Sequence, residues 1–114
     1  MEYIGLTIRN EDLKNRCDTL CELALKKWGN DLQLIVLLEE LSELTKAILK
    51  FNREKEVKSI SEVSDTCQIA IEEELVDVLI MIRQLIIMNG YDGILDDMFE
   101  SKLDKLEGRI LNDK

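Results

Sequence analysis

The chain reads as an all-α protein, a four-helix bundle that assembles with a second chain. Three observations point there. No proline and only 5 glycines interrupt the 114 residues, so little in the sequence breaks a helix. Apolar residues recur at helical spacing in four segments, and no strand-like alternation persists for a useful length. The length predicts a single domain over 1–114, and such a chain buries roughly two-thirds of its unfolded surface, enough for a core without covalent staples.

The first helix is expected from about Asn10 to Trp28, where Leu13, Cys17, Leu20, Cys21 and Ala24 share a helical period and Gly29 supplies the stop. Asn30 or Asp31 caps the second, with Gln33 placed for a capping box, and its pattern continues to about Arg53. A polar stretch, Glu54 to Asp65, connects it to a third helix that begins near Thr66, behind Ser64 or Asp65, and stops before Gly90. The fourth is expected from about Gly93 to Leu111. In the second helix, residues 34–38 and Leu41 cover nearly the whole circumference at about 100° per residue. Val76, Val78, Leu79, Ile80, Ile82, Ile86 and Ile87 do the same in the third. Helices of this kind are buried on more than one side, which predicts a homodimer or a dimer of dimers rather than a lone tight bundle.

Fifteen Lys and Arg against 24 Asp and Glu leave a formal charge of −9 with no histidine. Nucleic-acid binding needs a basic stripe, and an anionic lipid surface needs a basic helix face; neither is present, so neither partner is expected. Phosphorylated ligands remain open to an acidic protein when divalent cations stand between the charges. Cys17, Cys21 and Cys67 contain no C-x-x-C pair and are odd in number, which predicts free thiols in a reducing compartment. Met1 and Glu2 offer no basic leader, and the longest apolar runs, 34–38 and 78–82, are far too short to span a bilayer. A cytoplasmic, soluble protein is expected.

The acidic residues carry the chemistry. Residues 35–44 and 69–78 align without gaps at an offset of 34, and each contributes an acid-x-x-acid pair: Glu40 with Glu43, and Glu74 with Asp77. Spacing of three puts both members of a pair on one side of a helix. Glu40 shares its stripe with Val36, Leu37, Leu44 and Ala47, and Glu74 shares its own with Ala70, Ile71, Val78 and Met81, so both acids point where a core belongs. Carboxylates 5–6 Å apart repel by roughly 3 kcal/mol at an effective dielectric near 20, and desolvating each costs several more. Basic partners, protons or divalent cations must compensate. Lys46 and Lys50 lie on the flank of Glu39 and Glu43, placed to pair with Glu39 and screen Glu43, and do not reach the stripe of Glu40. Arg83 points about half a turn away from Glu74. Solvated salt bridges thus account for Glu39, Glu72 and Glu73 but poorly for Glu40 and Glu74, and metal is the better account. Oxygen-only ligands favour Mg²⁺ or Mn²⁺ over zinc, and the lack of histidine removes a Glu-x-x-His di-iron bundle.

The run Glu39-Glu40-Leu41-Ser42-Glu43-Leu44, followed by Glu74-Leu75-Val76-Asp77-Val78, resembles the E-E-x-x-E then E-x-x-D signature of the MazG-like all-α nucleoside triphosphate pyrophosphohydrolases. Lys27-Trp28-Gly29 and Gln33 before the first motif, Lys46-Ala47-Ile48 after it and a basic fourth helix are similar to small members of that group. The likeness covers about residues 27–109. It implies a MazG-like bundle that hydrolyses nucleoside or deoxynucleoside triphosphates to the monophosphate and pyrophosphate. Glu40, Glu43, Glu74 and Asp77 match the positions that hold Mg²⁺ and serve catalysis, and Glu39 would act behind them, on the ligands rather than on the metal. Lys102, Lys105 and Arg109 match phosphate-contacting positions, although spacing alone also allows a solvated face; Leu106 stands where the family segment has Asn. Trp28 is either a platform for the base or a helix-end core residue. The 30 residues between Glu43 and Glu74 lie near the long end for the family. A phosphoribosyl-ATP pyrophosphohydrolase shares the acidic ladder and is a neighbouring possibility. A non-catalytic helical oligomerisation or adaptor module, its acids met by a partner's cations, is the alternative of a different kind.

Overall fold

A computed structural model describes residues 8–57 and 65–112. Four α-helices and no strands are found among them: α1 Glu11–Trp28, α2 Asn30–Val57, α3 Asp65–Asn89 and α4 Asp96–Asn112. Local chemistry explains the ends. Asn10, in extended backbone, accepts the Leu13 N–H on its side-chain oxygen at 3.1 Å, the standard satisfaction of an orphan donor. Glu11 and Asp12 sit in the first turn and Lys26 and Lys27 in the last, each with the sign that the helix dipole favours. Gly29 takes φ 85°, reachable without a Cβ penalty, and its N–H donates to the Leu25 carbonyl at 2.9 Å.

Three boundary expectations are corrected. The capping box of Asn30 and Gln33 does not form, because the Gln33 side chain turns into the protein and donates from Nε2 to Oε1 of Gln84 at 2.7 Å. Arg53 is not the end of α2, which runs on through Val57; Glu54, in that last turn, accepts the thiol of Cys67 from α3, so the extra turn is held by a tertiary contact. Ser64 and most of the polar connection lie outside the described residues. Gly93 does not open α4: its φ of 77° is left-handed, the Ile94 N–H closes a turn onto the Tyr91 carbonyl at 3.2 Å, and the first turn of α4 is bonded from Phe99 N–H to the Leu95 carbonyl at 2.9 Å.

α2 and α3 form an antiparallel pair. Three rungs mark its register: Gln33 with Gln84, Glu40 with Glu74 and Asp77, and Glu54 with Cys67. α1 packs chiefly on α3, where the buried Cys21 thiol lies 3.7 Å from the Ile80 carbonyl. Leu37, Val78, Met81 and Ile86 fill the space between. Burial raises the pKa of Cys21 to about 12, with nearby Cys17, 3.9 Å away sulfur to sulfur, adding to the effect. The thiolate is the reactive form, so iodoacetamide at pH 8 is expected to leave Cys21 unmodified in the folded protein and to label it after denaturation, as peptide mass spectrometry would show.

One buried cation ties the layers together. Arg83, 4% exposed, donates from Nε and Nη2 to Asp18 of α1 at 2.6 and 3.1 Å, and from Nη1 and Nη2 to Asp92 of the α3–α4 turn at 2.6 and 3.1 Å. Two forked carboxylates satisfy the guanidinium on both sides. Asp92 is held below the ordinary carboxyl range by these bonds, and Arg83 is pushed further above its own.

The chain leaves much apolar surface uncovered. Ile35 and Leu38 of α2 are 54% and 65% exposed, and Leu103, Leu106 and Ile110 of α4 are 58%, 47% and 66% exposed. α4 buries no residue and scarcely touches the other helices. The accessible surface is 8628 Å², against about 6,400 Å² for a monomer of this mass. Among the described residues, no helix is long and apolar enough to cross a membrane.

Candidate metal centre

The α2–α3 register brings three of the four paired acids together. Glu40 from α2 and Glu74 and Asp77 from α3 each offer a carboxylate oxygen, all within 4.8 Å of one another. Glu40 and Glu74 are half-buried and Asp77 is exposed, so the cluster opens to solvent along one side. The helical period explains the convergence. Glu74 and Asp77 lie one turn apart on α3, and Glu40 meets them because Gln33 and Gln84 set the pairing about two turns away on each helix.

The electrostatics are unfavourable as they stand. Burial is the first cause that pushes the Glu40 carboxyl above its ordinary range, and the charges of Asp77 and then Glu74 push it further. One oxygen of Glu74, Oε2, is buried without a hydrogen-bond partner among the described residues. Buried oxygens of carboxylates normally have donors. A divalent cation fits the chemistry of these residues: three carboxylate oxygens from two helices, within 4.8 Å of one another, are the hard anionic donors that Mg²⁺ or Mn²⁺ takes.

The other candidate residues are placed differently. Glu43 is outside the cluster; its Oε1 accepts from Lys46 Nζ at 3.3 Å, with both side chains largely exposed. Lys46 therefore pairs with Glu43 and not with Glu39, because a carboxylate three residues back is one turn away on the same helix while one seven residues back is two turns away. Glu39 is exposed on the outer side of α2. Lys102, Lys105 and Arg109 are exposed on α4, and none of the ion pairs among the described residues joins them to the acids. Trp28 is 53% exposed, with Lys27 Nζ 5.4 Å from its ring centre, and stands on the wall of a groove between α1 and α3. It is not a core residue of the single chain.

Two polar features escaped the sequence reading. The buried amide pair of Gln33 and Gln84 aligns α2 with α3, and the Asp18–Arg83–Asp92 bridge ties α1 and the α3–α4 turn to α3. A charged residue inside the most apolar helix was the available signal for the second, since a buried guanidinium must find carboxylates. Comparison with known proteins finds no matching family model, no matching curated protein and no matching solved structure.

Proposed function

We propose that the chain is a MazG-like, Mg²⁺-dependent pyrophosphohydrolase that converts a nucleoside or deoxynucleoside triphosphate to the monophosphate and pyrophosphate. The observation that carries this reading is the convergence of Glu40, Glu74 and Asp77, one of which, Glu74, also has a buried oxygen with no donor among the described residues. Acids of this kind, on two antiparallel helices and in this order, suit cation-bridged binding of a polyphosphate better than they suit stability.

In this mechanism Glu40, Glu74 and Asp77 hold the cation, and Glu43 joins them once it leaves Lys46. When bound, Mg²⁺ (or Mn²⁺) neutralises the triphosphate and acidifies a coordinated water. A carboxylate oxygen of the cluster would orient the attacking water and take its proton as the water oxygen bonds to the α-phosphorus. The bond from the α-phosphorus to the bridging oxygen breaks, and pyrophosphate leaves. Glu39 acts through the ligands and not on substrate. Lys102, Lys105 and Arg109 meet phosphate oxygens, and the exposed face of Trp28 is offered to the base. We place this activity in the cytoplasm.

The same reading has two copies of the chain, or two pairs. Its support is the surface that one chain leaves open on α2 and α4. That surface also favours the second reading, a non-catalytic assembly module whose acids meet a partner's cations. The two differ in response to metal. An enzyme gains about 1.4 kcal/mol when Mg²⁺ is at ten times its Kd, seen as a melting point a few degrees higher, and releases pyrophosphate from at least one triphosphate in a panel of NTPs, dNTPs and phosphoribosyl-ATP. Neither a thermal shift nor pyrophosphate from any of these substrates is the result that would overturn the catalytic reading.

A further inference from the structure

Two apolar faces of the described chain lack a partner, and they match in length and charge. The first is the groove of about 680 Å³ between α1 and α3, whose walls include Leu13, Leu20, Leu23, Val76 and Ile80. Leu20, Leu23 and Val76 on those walls are 51%, 53% and 53% exposed. Its basic groups, Arg16 and Lys27, are eleven residues apart on α1, hence on one side of that helix and about 16 Å apart along it.

The second face belongs to α4. Phe99, Leu103, Leu106 and Ile110 recur at i, i+4, i+7 and i+11, a single stripe about 16 Å long. Glu100, Asp104 and Glu107 flank it on one side, and Lys102, Lys105 and Arg109 on the other. A helix with such unlike flanks is directional: its acidic edge fits beside Arg16 and Lys27, and turned end for end it would set lysines against them.

We infer that α4 of a second copy lies in the α1–α3 groove, and that the exchange is reciprocal about a two-fold axis. The inference rests on the two-chain assembly of the proposed function and not on its catalysis. A second copy is the occupant because α4 of the same chain, leaving the turn that Arg83 fastens through Asp92, lies outside the groove with its stripe uncovered. Trp28, the last residue of α1, stands at the Lys27 end of the groove.

The test uses the full chain and its mass in solution. Wild type is expected at twice 13.2 kDa. Leu20→Glu in the groove and Leu106→Glu in the stripe, both at exposed positions that the monomer fold tolerates, should each weaken self-association about 30-fold or more, with helical circular dichroism retained. Charge reversal then separates exchange from any other contact. A chain with Arg16→Glu and Lys27→Glu repels acidic α4, and a chain with Glu100→Lys and Glu107→Lys repels the basic groove edge. Each alone should be monomeric, and an equimolar mixture should form a heterodimer. A monomeric wild type overturns both the assembly and the docking. A wild-type dimer indifferent to all these substitutions overturns the docking and leaves a two-chain assembly standing.

Discussion

Replacing Asp77 by Asn, or Glu40 by Gln, is expected to reduce pyrophosphate release about 1,000-fold while the helical spectrum stays unchanged. Each substitution is nearly isosteric and removes one anionic ligand from a cluster whose three oxygens lie within 4.8 Å. Loss of one preorganised electrostatic contact to the reacting charge costs about 100- to 1,000-fold, and a missing ligand acts at the upper end because it also lowers occupancy. The Glu40 variant has a second readout. The folded Glu40 carboxyl titrates above its unfolded value, so its contribution to stability is favourable below the unfolded value and is lost as pH rises through the folded one. At neutral pH the ionised trio therefore weakens the metal-free fold. Glu40→Gln should melt higher than wild type without Mg²⁺ and should lose the rise that Mg²⁺ gives wild type. A Glu40→Gln protein that turns over normally would remove this residue from the reaction. One that melts lower than wild type without metal would remove the proposed strain.

Arg83→Met is expected to be the most destabilising single change away from the acids, at about 3 kcal/mol, because it strips the cation from two carboxylates while leaving them facing each other. The apolar replacement fills similar space, so the loss reports the missing charge and hydrogen bonds rather than a cavity. Adding Asp18→Asn and Asp92→Asn to Arg83→Met removes the stranded charges and should recover much of the stability, as measured by urea midpoint. The pH profile is a further check. Asp92 is held below its ordinary range by Arg83, so the bridge is at full strength above the unfolded-state pKa of an aspartate and is lost as pH falls through the lower, folded value. Wild type should lose stability across that acid window more steeply than Arg83→Met, in which Asp92 has no cation to lose. Equal slopes would mean that the bridge contributes nothing to folding.

The four helices were legible because their signals are local. Asn10 and Gly29 bracket α1 by capping chemistry, and apolar periodicity locates the others. The inward aim of Glu40 and Glu74 was legible for the same reason: a helix's own repeat assigns each side chain an azimuth relative to its neighbours. The end of α2 was not, since its last turn depends on Glu54 meeting Cys67 of another helix. Nor was the start of α4, where the left-handed backbone of Gly93 follows from a turn anchored through Asp92 to Arg83.

By itself, then, the sequence determined an all-helical chain with acidic pairs on apolar stripes at a matching offset. Only the tertiary structure decided that three of those acids meet while Glu43 stays with Lys46, that Gln33 leaves its own helix end for Gln84, and that Arg83 draws Asp18 and Asp92 onto one guanidinium. The division has a physical cause. Periodicity fixes which way a side chain points from its own axis, whereas its partner is chosen by which neighbouring helix arrives there, and at what register.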